Sequence, residues 1–377
     1  MKYFIYPSRI KKTNLGDILI NILLIRELSN HGIVYLDGEI NEVIDLVKIN
    51  NNNSSNIRIV DGQKGFYGLP VLRWINFINK LDDITMVFDP PGHYSEGKDK
   101  PKFILKSIKY LVRANILKIL KIKVSRIGVT LGPFSENGWN YQKKISNAYH
   151  NISVRDSKNY DDVILKGLQN IRLIDDLAFL YRPQNFLNDY SPSNRDSKYI
   201  VISFRGVVEG STIDYDYINL ICAKLSYLIK LGEFSNYSFV YSYQVEEDLQ
   251  VINYIIEKFQ TLKLKFELLK DQLDFKAAIE LYHNAEIVFT NRLHVALLAM
   301  LNNTPAIVIT DLKKHHKLVD VYNDLGLSKF LFSCHSNDNL DKENLKSINE
   351  LMASFKNTSF EKYKALKISI EEITNSN

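Results

Sequence analysis

The stretch Ile287-Val288-Phe289-Thr290-Asn291-Arg292-Leu293-His294-Val295-Ala296-Leu297-Leu298-Ala299-Met300 passes from a β-branched apolar segment, through a few polar positions, into a second apolar segment. By its pattern it is a strand feeding directly into a helix. Arg292 and His294 then stand at a helix N-terminus, where free backbone N–H groups and the macrodipole favour an anion. Arginine adds a planar fork for phosphate or carboxylate, and histidine exchanges a proton near neutral pH.

The same alternation of short apolar strands and longer amphipathic helices extends outward in both directions, the pattern of parallel sheets covered by helices on both faces. Strands are expected at Tyr3–Tyr6, Ile33–Tyr35, Ile57–Val60, Thr85–Phe88, Ser125–Thr130, Asn151–Val154 and Ile171–Ile174. A second series is expected at Tyr199–Ser203, Phe239–Tyr243, Leu264–Leu268, Ile287–Thr290 and Ala306–Ile309. Between the series, Tyr181–Lys198 carries Pro183, Pro192 and polar residues without periodicity, and reads as a linker. The expected organisation is a first α/β domain over 1–182, a linker over 183–198, a second α/β domain over 199–340, and a helical tail over 341–377 that packs back on the first domain. Two doubly wound domains bind ligands at the carboxyl ends of their strands, so the chemistry belongs in the loops after strands.

Composition agrees with this reading. The chain has 377 residues, 45% apolar and 24% charged, with 22 Tyr and 19 Phe, enough for two full cores and too apolar for disorder. Its two cysteines, Cys222 and Cys334, are far apart; a disulfide framework or zinc-cysteine site is not expected, and a reducing cytosol is. No apolar run approaches a membrane span, and Met1–Pro7 lacks the form of a signal peptide, so a cytoplasmic protein is expected. A net charge of +5 is too small to suggest nucleic acid. It is unevenly placed, however: Lys98–Arg126 carries +9 and leaves −4 for the remainder. Lys102, Lys106, Lys109 and Arg113 align on one helix face, with Ile104, Ile108, Leu111 and Ile119 supplying an apolar side. That basic face makes peripheral contact with an anionic membrane, or with a lipid diphosphate, a candidate interaction.

Four further strand ends offer chemistry. Tyr199–Ser203 is followed by Phe204-Arg205-Gly206, so Arg205 closes the first strand of the second domain and can clamp a small dianion together with Arg292. After the first strand comes Thr13-Asn14-Leu15-Gly16-Asp17, in which Gly16 permits close backbone approach and Asp17 can cap a helix reaching about Ser29. Phe88-Asp89-Pro90-Pro91-Gly92-His93-Tyr94 is expected to be a loop, because its prolines cannot continue a strand, and offers Asp89 or His93 to a substrate hydroxyl. Gly128 to Phe134 likewise closes a strand in a tight loop. His315-His316 is not read as a metal site, since adjacent side chains diverge on a helix and three lysines surround them. Walker A, GxGxxG, HExxH and GxSxG patterns are absent.

Taken in order, Asn14-Leu15-Gly16-Asp17, Gly128 to Phe134, Ile152-Ser153-Val154-Arg155-Asp156-Ser157, Asp176-Leu177-Ala178-Phe179 and Arg292-Leu293-His294 followed by Ala299 and Pro305 resemble the polysaccharide pyruvyl transferase family. The resemblance implies two facing Rossmann-like domains of GT-B type, phosphoenolpyruvate as donor, and a saccharide acceptor, free or lipid-linked, in surface polysaccharide synthesis; no cofactor or metal is expected, because arginines can neutralise the leaving phosphate. It associates Arg205, Arg292 and His294 with the donor. On this basis the donor is expected to be held by Arg205, Arg292 and Asn291, and His294 to serve as acid or phosphate contact. Asp17 or His93 is the expected acceptor base, with Asn14, Gly16 and Asp89 on the acceptor side. Where the family has a glycine-rich loop, this chain reads Asp89-Pro90-Pro91-Gly92-His93. The alternatives are a GT-B glycosyltransferase with a nucleotide-sugar donor and a binding protein without turnover. Between Ile287 and Thr310 there is no Asp or Glu to hold a donor ribose, which favours a smaller anionic ligand.

Overall fold

In the computed structural model, described over residues 1–6, 14–37, 41–60, 83–96, 100–187, 199–207, 212–231, 234–260, 265–269, 273–335 and 347–375, every strand pairing is parallel. The chain divides into two units. The first comprises Met1–Lys11, Asp17–Leu180 and Lys362–Asn377; the second comprises Lys12–Gly16 and Tyr181–Glu361.

The strands of the first unit are β1 (Tyr3–Tyr6), β2 (Ile33–Asp37), β3 (Ile57–Val60), β4 (Ile84–Asp89), β5 (Gly92–Tyr94), β6 (Lys123–Leu131), β7 (Asn151–Val154) and β8 (Ile171–Leu173). They form one sheet in the order β3-β2-β1-β4-β6-β7-β8, with β5 also paired to β6. Its helices are α1 (Leu15–His31), α2 (Asn41–Lys48), α3 (Lys100–Ile119), α4 (Glu136–Ser146) and α5 (Ser157–Leu165). Ile5, Met86, Val124, Val129, Ile152 and Val154, each at most 1% exposed, lie in its core, the burial expected of parallel strands covered on both faces.

The second unit contains β9 (Tyr199–Ser203), α6 (Tyr215–Leu231), β10 (Ser238–Tyr241), α7 (Glu246–Phe259), β11 (Lys265–Leu268), α8 (Phe275–Asn284), β12 (Ile287–Thr290), α9 (Leu293–Leu301), β13 (Ala306–Thr310), α10 (His316–Asp324) and β14 (Leu331–Ser333). Its sheet runs β11-β10-β9-β12-β13-β14. Numbered from β9, that is 3-2-1-4-5-6, the doubly wound Rossmann order. The start of the aperiodic stretch is core here: Tyr181 stacks on Phe186 at 5.2 Å, and its hydroxyl donates to Asn302 Oδ1 at 3.0 Å. The rest of the expected linker lies outside the described residues, as does Thr13.

The final helix, α11 (Ile348–Asn375), returns to the first unit from Lys362 onward. Lys362 pairs with Asp175, Arg172 with Glu372 at 3.5 Å, and Leu366, Ile370 and Ile373 are buried.

Three local expectations are corrected. Pro90 and Pro91 interrupt the chain for only two residues, after which β5 re-forms beside β6, so Gly92–Tyr94 is a strand rather than loop. Asp17 is the third residue of α1 and not its cap; Asn14 caps the helix, its Oδ1 accepting from Gly16 N at 3.1 Å. On α3, Ile108 and Ile119 are exposed, while Ser107, Ala114 and Leu117 face inward. The apolar residues of α3 outnumber what one buried face accommodates.

Candidate functional site

The strand order of the second sheet reverses between β9 and β12, and a ligand crevice opens outside the carboxyl ends of strands at such a point. Arg205 follows β9; Asn291 and Arg292 follow β12. Their backbones are tied together there. The Asn291 amide accepts from Arg205 N at 2.8 Å and donates back to Arg205 O at 2.8 Å, clamping both polar groups of one peptide segment. The Thr290 hydroxyl donates to Ser203 O at 2.6 Å and accepts from Arg292 N at 3.0 Å. Helix α9 is buried along almost its whole length, as a helix apolar on all sides must be. Arg292, its N-cap, is therefore anchored to a rigid element.

The Arg292 guanidinium pairs through Nη2 with Asp248, which comes from the first turn of α7. Its Nε is buried and has no hydrogen-bond partner among the described residues, leaving a donor for an acceptor to fill. Burial pushes the Asp248 carboxyl above its ordinary range, against the pull of Arg292. Arg205 is drawn below its ordinary range by burial and by the charge of Arg292. Among the described residues, two interacting cations and a helix N-terminus thus share one carboxylate, Asp248, an excess of positive potential at the switch point.

Next to this pair runs a hydrogen-bonded chain. Asn291 Nδ2 donates to the Tyr217 hydroxyl at 3.0 Å; that hydroxyl meets Thr310 Oγ1 at 3.0 Å; and Thr310 Oγ1 meets His315 Nδ1. The His315 ring sits edge-on to Tyr217, 5.8 Å between centroids. Burial and the charge of Arg205 push His315 down to about 4, so it is neutral at neutral pH, and burial pushes Tyr217 up to about 12. Just beyond Thr310, Asp311 accepts from His335 Nε2 at 2.9 Å.

His294, at the second position of α9, lies against Gly16. A Cβ on Gly16 would overlap the imidazole at Nδ1, so close approach rather than turn geometry requires glycine here. Asn14 and Gly16 thereby join Arg205, Asn291, Arg292 and His294 in the second unit.

Asp17, Asp89 and His93 belong to the first unit. The Asp89 carboxylate is buried against Arg126, accepting from Nε at 2.6 Å, and is not presented to a substrate hydroxyl; Arg126 also donates to Gln142 Oε1 at 2.9 Å and packs over the rings of Tyr149 and Tyr94. His93 is exposed on β5, with Nε2 hydrogen-bonded to the Gly132 carbonyl. Arg155 and Asp176 form a second buried pair at 3.0 Å, and Asp156 caps α5. Those segments hold loops together.

Sequence reasoning missed Asp248, Tyr217 and the inward-facing His315. The available signal was position: Asp248 follows β10, and His315 follows β13, both neighbours of the switch-point strands.

Comparison with solved structures gives the class. The UDP-GlcNAc 2-epimerase from Methanocaldococcus jannaschii superposes with a TM-score of 0.57 at 15% identity, covering 99% of both chains. That from Neisseria meningitidis, bound to UDP-GlcNAc, gives 0.55 at 12% with full coverage of both. The trehalose-6-phosphate synthase OtsA gives 0.55 at 10%, also with full coverage of both chains. At such identities the likeness establishes the fold, a two-domain α/β enzyme architecture of GT-B type. No curated protein matches in sequence. The family model for polysaccharide pyruvyl transferase matches residues 14–311, and the chain belongs to that family.

Proposed function

We propose that this chain transfers the three-carbon unit of phosphoenolpyruvate to two hydroxyls of a saccharide, giving a pyruvate ketal and inorganic phosphate. The observation that carries this reading is the coupled Arg205–Arg292 pair at the switch point, served by one carboxylate and holding a buried, unpartnered Nε donor. Phosphoenolpyruvate brings a carboxylate and a phosphate on one small skeleton and answers that excess of donors. His294 protonates the methylene carbon, making C2 electrophilic. One sugar hydroxyl adds to C2 and loses its proton to a base, for which Asp17 and His93 are the candidates. The C2–O bond to phosphate breaks, phosphate taking up the proton held by the base while its remaining charge is held by the arginines, and a neighbouring hydroxyl closes the ketal, its proton returning to His294.

A thermal-shift panel with phosphoenolpyruvate, UDP, CMP and GDP tests the donor. A ligand at 100 times its Kd stabilises the folded state by about 2.7 kcal/mol, so phosphoenolpyruvate is expected to raise the Tm measurably. Stabilisation by a nucleotide, with indifference to phosphoenolpyruvate, would overturn the reading in favour of a nucleotide-sugar donor.

Gly16→Ala is the sharpest probe of His294. Alanine improves helix propensity by up to about 1 kcal/mol, so α1 is not weakened, yet the new methyl displaces the imidazole. A misplacement near 1 Å costs about 100-fold in rate. Turnover with phosphoenolpyruvate should fall by that order, while overpacking at this buried position lowers the Tm by the equivalent of about 1–3 kcal/mol; unchanged kcat in the folded variant would show that the position of His294 is immaterial.

A further inference from the structure

On the outward side of α3, Leu105, Ile108, Val112, Ile116 and Ile119 form a continuous stripe, spaced three, four, four and three residues apart and each between 42% and 80% exposed. Leu120 extends it at 47% exposure. The helix already has a buried face in Ser107, Ala114 and Leu117, so this stripe is a second apolar face with nothing packed on it among the described residues. Isolated surface leucines are ordinary, but a contiguous apolar stripe marks a docking surface. Along one border, at helical spacing, stand Lys106, Lys109 and Arg113, all exposed. Between Lys100 and Ile119 there are six basic residues and no acidic one.

We infer that α3 docks this protein on an anionic lipid surface, with the apolar stripe entering the interface and the lysines meeting headgroup charge. Charge complementarity selects this occupant. A second copy of the same helix would bring six cations against six with no carboxylate on α3 to offset them, whereas an anionic leaflet supplies the missing charge over the same area. No described helix is long and apolar enough to cross a membrane, which fits a helix lying in the plane of the interface. The inference does not depend on the donor assignment.

Co-sedimentation of the full chain with vesicles of phosphatidylcholine alone, or mixed with phosphatidylglycerol, tests it. The protein is expected to sediment with the anionic vesicles and to be released progressively by salt. Lys106→Glu/Lys109→Glu should weaken binding at least about tenfold. Ile108→Ser/Ile116→Ser should retain attraction at low salt and lose the fraction that survives at high salt. Both pairs are exposed, so the Tm and turnover of a soluble acceptor should be unchanged. Absence of binding to anionic vesicles at low salt, or wild-type binding by both variants, would overturn the inference. A dimer found without vesicles and broken by Ile108→Ser/Ile116→Ser would also overturn it, assigning the stripe to a second copy.

Discussion

Replacing Arg292 with alanine is expected to lower phosphate release from phosphoenolpyruvate, with acceptor present, by three orders of magnitude or more. Losing one preorganised donor to a developing negative charge costs about 10²–10³ in rate, and here the donor also binds the substrate's charge in the ground state. The same change strips Asp248 of its partner. Asp248 is 4% exposed and its carboxyl is already raised by burial, so the single variant should also lose stability, by about 3–5 kcal/mol for a broken buried pair. Arg292→Ala/Asp248→Ala separates the two effects: it should regain most of the Tm and none of the turnover. Near-wild-type phosphate release by Arg292→Ala would remove this arginine from the donor site.

A stability loss of the same order, without a change at the donor residues, is expected from Arg126→Met. Arg126 is 2% exposed, is bonded to Asp89 and Gln142, and lies 4.9 Å from the Tyr149 ring centroid. Methionine preserves much of the volume but leaves a carboxylate in the interior with no cation, a loss of about 3–5 kcal/mol. Adding Asp89→Leu removes the stranded charge and should restore much of the chemical-denaturation midpoint, since an apolar pair of similar size replaces a buried ion pair at little cost. If Arg126→Met unfolds at the wild-type midpoint, Asp89 has another compensating partner. If the double variant remains active, Asp89 has no part in acceptor chemistry.

Period-coded features were legible in the sequence. β9, β12 and α9 stand where their apolar runs place them, and Arg205 and Arg292 fall at strand ends because a polar residue closing such a run must leave the sheet. Short segments with weak patterns were not: β5 is three residues long behind two prolines, and β14 is also three residues long. Such strands exist because β6 and β13 offer edges to pair with, information carried elsewhere in the chain.

Partner choice was likewise invisible. The charge pattern near Arg292 contains no carboxylate, yet Asp248 reaches it from 44 residues earlier. The dipeptide His315-His316 gave no indication that one ring turns inward to Thr310 and Tyr217. The basic run in α3 was evident as a charge imbalance, whereas the exposure of Ile108 and Ile119 followed only from which face the first sheet had room to cover.

The sequence by itself thus determined the two parallel sheets, the strand ends that carry Arg205, Asn291 and Arg292, and the family resemblance, because local periodicity and motif order are written along the chain. Tertiary structure alone decided which charges are neutralised. Asp89 is consumed by Arg126, Arg292 keeps one unfilled donor beside Asp248, and Gly16 makes room for His294; each depends on distances between residues far apart in sequence, and electrostatics and close packing are set by those distances.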